Sequence, residues 1–233
     1  MNRATYRCAL IVGAGAGLSA SLARLFAKEG MKVALAARSP AKLADFAKAT
    51  GASTFNCDVA KRNEVEALFG EVETSLGVPD VVVYNPSYRV RGPLVELDPT
   101  EVEKALAITA FGGFLVAQAA VRRMLPKGQG AILFTGASAS VKGYAQSAPF
   151  AMGKFALRGL AQSMARELQP QGIHVAHVVI DGGIKSSRRP EPPDRPDSLL
   201  DPDAIAENYL HLLRQPRSAW SWEIEVRPWV EKF

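Results

Sequence analysis

Cysteine is scarce in this sequence, and its scarcity bears on the cellular setting. The chain has two cysteines, Cys8 and Cys57, which lie on or beside the first and third predicted strands. The expected strand order puts the second strand between them, and two strand spacings of roughly 9 to 10 Å exceed the reach of a disulfide. We therefore expect both to be reduced thiols in a cytoplasmic protein.

Long apolar runs and basic blocks are also missing. The first apolar run, residues 8–12, is too short for a signal sequence or a membrane span, so we expect no membrane partner. The net charge is +5, but the basic residues are scattered and aromatic residues make up only 8% of the chain. Both features argue against nucleic-acid binding. Nothing in the sequence indicates a metal site.

What the sequence does contain is an alternation of apolar, strand-length runs with amphipathic, helix-length segments, which is typical of βαβ units. Most runs are continuously apolar, as strands covered on both faces are. The predicted strands are residues 8–12, 32–36, 53–56, 81–84, 131–135, 174–180 and 223–226. We predict one α/β domain over residues 1–233, a Rossmann-type, doubly wound parallel sheet of about seven strands with helices on both faces.

Capping residues mark several helix ends. Ser39, Asp98 and Asp201 each precede a proline, which predicts an N-cap followed by proline at the first helical position. Glu101 is the expected capping-box partner of Asp98. Gly30 is expected to end the first helix.

A proline-rich stretch follows the sixth strand. Four prolines between residues 185 and 198 exclude a helix or a central strand there. We predict a long loop, a substrate lid over about residues 185–200.

A glycine-rich run directly follows the first strand and leads into a helix. Such glycines let backbone N–H groups approach a pyrophosphate at the positive end of the helix. The alternative is a tight strand-to-helix connection without a ligand. The predicted dinucleotide-binding residues of this run are Gly13, Gly15, Ala16, Gly17 and Leu18.

The end of the second strand indicates which dinucleotide binds. Sites for NAD usually have an acid here, but this strand ends in Arg38, and no carboxylate occurs before Asp45. A guanidinium suits the 2′-phosphate of NADP(H), since its planar fork pairs with phosphate oxygens. We predict NADP(H) as the cofactor, with a solvated arginine as the alternative.

From Tyr6 to about Ser186, the sequence resembles the short-chain dehydrogenase/reductase family. The glycine run matches the family's Gly-x-x-x-Gly-x-Gly at Gly13 and Gly17, with Ser19 in place of the last glycine. Residues 57–59 resemble the family's adenine-binding stretch, residues 84–87 its Asn-Asn-Ala-Gly motif, and residues 181–186 its Pro-Gly-x-x-x-Thr motif. The resemblance implies further cofactor contacts from Asp58, Val59, Asn85, Gly182 and Ile184.

The resemblance also implies an active site, with departures. The family uses an Asn, Ser, Tyr and Lys set, with the last two spaced Tyr-x-x-x-Lys; here that spacing carries Phe150 and Lys154. Lys154 is implied to bind the nicotinamide ribose as well. The serine position falls on Ala137, with Ser138 one step away, and the asparagine position falls on Thr109. The implied catalytic set is therefore Ser138, Phe150 and Lys154.

Phenylalanine at the tyrosine position bears directly on function, because in the family the tyrosine hydroxyl supplies a proton. Its loss is worth on the order of 100-fold to 10,000-fold in rate. Possible stand-ins are Ser138, Tyr144 and a water held by Lys154 and Thr109; the alternative for Tyr144 is packing on the lid. Two hypotheses follow: an NADP(H)-dependent oxidoreductase acting on a small carbonyl or hydroxyl compound, or a non-catalytic NADP(H)-binding sensor or partner subunit.

Two groups of residues suggest further contacts. Gly112 and Gly113 lie in mid-helix, where each should cost about 1 kcal/mol, so we expect a close backbone approach there. The helix after Phe150 is rich in small residues, and the resemblance implies that these two helices form the interface of a homodimer or homotetramer. The alternative is packing on the protein's own sheet.

Four arginines are candidates for attracting an anionic substrate. Arg89 and Arg91 follow the fourth strand, and Arg188 and Arg189 lie in the predicted lid. The alternative is that they are solvated loop charges.

Overall fold

Seven parallel strands form one sheet in the order β3-β2-β1-β4-β5-β6-β7. The computed structural model describes residues 5–231. The order reverses between β1 and β4, which is the point of an open α/β sheet where ligands bind. All seven predicted strands are confirmed, and no boundary differs by more than one residue. They are β1 Cys8–Val12, β2 Lys32–Ala37, β3 Ser53–Asn56, β4 Val81–Tyr84, β5 Gly130–Thr135, β6 Ile173–Ile180 and β7 Glu223–Val226.

Helices cover both faces of the sheet, as predicted. In β1, Leu10 and Val12 join the apolar core on one face, while Ala9 and Ile11 join the core on the other. This alternation explains why the strand has no polar residue. The helices are α1 Leu18–Lys28, α2 Ala44–Thr50, α3 Arg62–Leu76, α4 Pro99–Leu106, α5 Gly112–Met124, α6 Ala148–Leu168 and α7 Pro202–Arg214.

The helix ends confirm most of the predicted caps and correct two. Asp98 accepts a hydrogen bond from the backbone N–H of Thr100 at 2.9 Å, and Asp201 caps α7 in the same way. Ser39 does precede a helical turn that begins at Pro40, but the turn is a short 3₁₀ helix and the Ser39 side chain makes no capping hydrogen bond. The predicted capping box is also wrong, because the Glu101 carboxylate accepts from the Tyr88 hydroxyl at 2.6 Å instead.

Gly30 follows the last turn of α1 with φ +84°, as predicted for a helix-ending glycine. Its left-handed backbone lets the N–H of Met31 reach the carbonyl of Phe26 at 3.0 Å, which closes the helix end.

The helices α4 and α5 are parts of one helix, Pro99–Lys127, with a π-helical turn at Ala107–Phe111. By length and composition this 29-residue helix is apolar enough to cross a membrane, but 56% of its most apolar window is buried inside the protein. That burial is expected of a core helix. Thr109 lies in the middle of the π turn, a type of irregularity that is frequent at functional sites.

The predicted lid is a long loop after β6, as expected. A β-bridge between Ile184 and Leu200 closes its base. The N–H of Lys185 donates to the carbonyl of Leu200 at 2.9 Å, and the N–H of Leu200 donates to the carbonyl of Gly183 at 2.8 Å. The loop therefore leaves and returns to the sheet at the same point.

The two cysteines are free and buried, with β2 between their strands. Burial raises the pKa of Cys8 to about 11 and that of Cys57 to about 12. Both thiols therefore stay protonated and unreactive at neutral pH.

Candidate active site

A cleft of about 610 Å³ opens where the carboxyl ends of β1, β2 and β4 meet. An adjoining groove of about 240 Å³ continues toward the lid. The predicted residues that line the cleft are Gly13, Gly15, Ala16, Arg38, Asp58, Val59 and Asn85. Those lining the groove include Gly13, Gly15, Gly17, Leu18, Asn85 and Ile184. Gly182 lines neither and packs against Pro228, which an added Cβ would meet at 2.8 Å.

The glycine run has the backbone freedom and open space that a phosphate loop needs. Gly13 has φ +78°, and a Cβ there would lie 2.6 Å from the backbone nitrogen of Pro86, so this position requires glycine. At Gly15 and Gly17 an added Cβ would meet no atom within 4 Å. Their backbone therefore faces open space that a ligand can occupy.

Ser19 has a local role that sequence reasoning missed. Its hydroxyl donates to the carbonyl of Gly13 at 3.3 Å and accepts from the Asn85 amide at 2.8 Å. The hydroxyl thus ties the glycine run to the end of β4. A glycine at this position makes no such link.

The cleft is rich in cations near the end of β2. Arg38 and Lys42 line it, and Arg188 from the lid lines the same cleft. Asp58 is the one acidic residue among the described residues that line this cleft, and its carboxylate accepts a hydrogen bond from the N–H of Ala60 at 3.1 Å. This donor set fits a dinucleotide with an additional phosphate. Neither Lys42 nor Arg188 was predicted from the sequence to bind the cofactor.

Phe150 and Lys154 lie on α6, and Thr109 packs against the same helix at Gly153. Lys154 is 2% exposed, and its ammonium donates to the carbonyl of Thr135 at 2.7 Å. Burial lowers the pKa of Lys154 to about 8. Thr109 is fully buried and packs against Gly153, where an added Cβ would lie 2.9 Å from the Thr109 Cβ.

Two cations contact the ring of Phe150. The Lys154 ammonium lies 5.9 Å from the ring centroid, and the guanidinium carbon of Arg89 lies 4.6 Å from it. The ring is 8% exposed. Phe150 is therefore a buried aromatic platform for the Arg89 guanidinium.

Ser138 and Tyr144 share a smaller cavity of about 260 Å³, and Lys154 is not among the described residues that line it. Tyr144 is 45% exposed. The Lys142 ammonium lies 5.9 Å from the centroid of the Tyr144 ring. Lys142 also pairs with Asp181, and these two neighbours, Asp181 before Tyr144, raise the pKa of the ammonium.

Comparison with known proteins agrees with this arrangement. Residues 7–192 match the family model for short chain dehydrogenases. The chain belongs to the short-chain dehydrogenase family. A short-chain dehydrogenase from Rhodopseudomonas palustris is 35% identical, with a TM-score of 0.83, and the match covers 97% of this chain and 100% of that one.

Two other relatives of this short-chain dehydrogenase extend the comparison. A metagenomic short-chain oxidoreductase solved in complex with NADP is 26% identical, with a TM-score of 0.84 and coverage of 97% and 98% of the two chains. An uncharacterized oxidoreductase of Staphylococcus aureus is 27% identical over 98% of this chain and 100% of its own length. The protein is an oxidoreductase of the short-chain dehydrogenase type, with a nucleotide-binding Rossmann fold that implies a nicotinamide cofactor.

Proposed function

We propose that this short-chain dehydrogenase uses NADP(H) to interconvert a small carbonyl and hydroxyl compound, with a proton donor other than the family's tyrosine. The observation that carries the proposal is the cluster of Arg38 and Lys42 in the cleft where NAD sites have an acid. Arg188 adds a third cation to the same cleft. The NADP bound to the metagenomic relative supports the same cofactor.

The residues that would hold the cofactor follow from the cleft. Arg38 and Lys42 would bind the 2′-phosphate, and the glycine run would bind the pyrophosphate. Asp58, Val59, Asn85 and Ile184 line the remaining walls. When bound, NADPH supplies a hydride, so the chain must hold the substrate beside the nicotinamide and deliver a proton to its oxygen.

We propose that the Tyr144 hydroxyl donates this proton to the substrate oxygen. Phe150 has no hydroxyl, and Lys154 and Thr109 are too deeply buried to hold a water at the open cavity. Tyr144 lines that cavity together with Ser138, which would donate a hydrogen bond to the substrate oxygen. The nearby Lys142 ammonium would stabilise the phenolate that remains after proton transfer.

A homodimer through α5 and α6 is part of the proposal. Phe111, Phe114, Met152 and Phe155 lie on or beside these helices and are 40% to 52% exposed. The Phe111 and Phe114 rings stack on each other, with centroids 6.1 Å apart. Aromatic residues exposed together on neighbouring helices favour burial against a second copy.

Cofactor titration tests the proposal at Arg38. Fluorescence titration should show that NADPH binds more tightly than NADH, and Arg38→Gln should raise the Kd for NADPH by about 10- to 100-fold, since a charge-assisted hydrogen bond is lost. Arg166→Gln, at an exposed arginine on α6, is the matched control and should leave the Kd unchanged. No affinity for either dinucleotide, or equal affinity in the wild type, would contradict the choice of NADP(H).

A further inference from the structure

Four arginines near the cleft and the smaller cavity have no carboxylate partner among residues 5–231. In the part of the chain that the structure describes, residues 5–231, six arginines form salt bridges and ten do not, and Arg89, Arg91, Arg188 and Arg189 are among the ten. Burial, and then repulsion from Arg91 and Arg189, lowers the pKa of Arg89. Like charges held this close disfavour the fold unless an anion joins them.

The four arginines lie in three places. Arg188 lines the proposed cofactor cleft. Arg189 lies against Gly183 at the base of the lid, where its Nη1 would be 2.7 Å from an added Cβ. Arg89 and Arg91 line the separate cavity of about 260 Å³ that contains Ser138 and Tyr144. The cofactor's phosphates therefore do not account for Arg89 and Arg91.

The chemistry of this cavity is that of an anion site. Its lining residues supply guanidinium, hydroxyl and amide groups, and none of them is a carboxylate. They are Arg89, Arg91, Ser138, Tyr144, Ala145, Gln146 and Ser147. A guanidinium beside hydroxyl donors matches the two or three oxygens of a carboxylate or phosphate group.

The cavity is also held in shape before any ligand binds. The Arg89 guanidinium is stacked over the Phe150 ring at 4.6 Å. The N–H of Gly92 donates to the carbonyl of Gln146 at 3.1 Å, which links the loop carrying the arginines to the loop carrying Tyr144. Gln146 has φ +58°, an uncommon conformation for a residue other than glycine. Both walls of the cavity are thus positioned by contacts within the chain.

We propose that Arg89 and Arg91 bind a carboxylate or phosphate group of the substrate, beside the Ser138 and Tyr144 hydroxyls that are assigned to its carbonyl oxygen, so that the enzyme acts on anionic carbonyl compounds. This inference rests on the proposed function and names its substrate class. It also gives Phe150 a role, since an unsubstituted ring supports the Arg89 guanidinium where the family has its tyrosine.

Matched substrate pairs test the inference. With NADPH, levulinate should exceed methyl levulinate in kcat/KM by at least about 10-fold, or dihydroxyacetone phosphate should exceed dihydroxyacetone by the same factor. The two pairs separate a carboxylate from a phosphate preference. Arg89→Gln and Arg91→Gln should abolish the preference for the anion, Arg89→Lys should retain part of it, and Arg166→Gln should retain all of it. Equal use of the neutral and anionic members by the wild type would overturn the inference.

A binding measurement keeps the test independent of turnover. Calorimetric titration of levulinate or inorganic phosphate into the NADP+-saturated protein, which cannot reduce a ketone, should show binding that weakens at high salt and falls about 10-fold or more in Arg89→Gln. Unchanged anion affinity in that variant, or no anion binding by the wild type, would overturn the inference while leaving NADPH binding intact. Failure of NADPH binding itself is seen in the cofactor titration, so it counts against the proposed function separately.

Discussion

At the scale of single residues, Lys154 is a buried lysine that has no carboxylate partner among the described residues. Within residues 5–231 the structure gives it no salt bridge, and its ammonium is held by the carbonyl of Thr135. The two neighbouring aromatic and hydroxyl side chains, Phe150 and Thr109, are likewise buried. The burial that lowers the pKa of Lys154 to about 8 therefore affects stability as well as the site.

The wild type should become more stable as the pH rises through the window set by Lys154. An unfolded lysine has a pKa of about 10.4, so between pH 8 and pH 10 the unfolded chain binds more protons than the folded one, and the free energy of unfolding increases with pH. Below pH 8, the free-energy cost of burying the charged Lys154 ammonium, on the order of 3 kcal/mol, is fully present. Lys154→Met removes this dependence, although it leaves the Thr135 carbonyl unpaired at every pH.

Urea denaturation at pH 7, 8, 9 and 10 measures the effect. The stability of the wild type relative to Lys154→Met should change little between pH 7 and pH 8 and should improve from pH 8 to pH 10. Lys48→Met, at an exposed lysine of α2, is the control for the loss of a surface charge. A difference between wild type and Lys154→Met that stays constant over this range would show that burial does not perturb this lysine.

At the scale of the elements, the strands were predictable and the contacts between elements were not. A continuously apolar run such as that of β1 predicts a strand buried on both faces, because nothing else in a parallel sheet accommodates it. The capping box failed because Tyr88, which lies on another segment, competes for Glu101. The stacking of Arg89 on Phe150 depends on how a loop meets a helix more than 60 positions later, and no local pattern encodes that.

Gly112→Ala should destabilise the protein although alanine favours a helix. An added Cβ would lie 2.6 Å from the Tyr84 hydroxyl and 2.9 Å from Val59, which lines the cofactor cleft. We expect the free energy of unfolding to fall by about 1–3 kcal/mol from overpacking. The predicted close approach at this mid-helix glycine is confirmed by these distances.

Gly159→Ala in α6 is the matched control, because an added Cβ there meets no atom within 4 Å. It should stabilise the protein by about 0.5–1 kcal/mol through helix propensity alone. Thermal or urea unfolding of both variants gives the comparison. Equal effects of the two substitutions would mean that the tight contact around Gly112 relaxes at no cost.

At the scale of the whole molecule, the two sides of α6 differ in burial. Leu157, Ala161 and Ala165 face the sheet and belong to its core, whereas Met152 and Phe155 are exposed. The small residues of this helix thus pack partly on the protein's own sheet. Packing on the protein's own sheet, the alternative given with the sequence, therefore accounts for one face of the helix, and the other is the face at which we propose the dimer.

Introducing charge on that exposed face should separate the subunits. Light scattering should give the wild type a mass at least twice the 25.0 kDa of one chain, and the double variant Phe111→Glu, Phe155→Glu should give a single chain, because four carboxylates would be buried without partners in each dimer. Val95→Glu is the control, since Val95 is 93% exposed but lies in the loop before α4. A wild type of 25.0 kDa at micromolar concentration would rule out the dimer, and dissociation by Val95→Glu would move the interface away from α5 and α6.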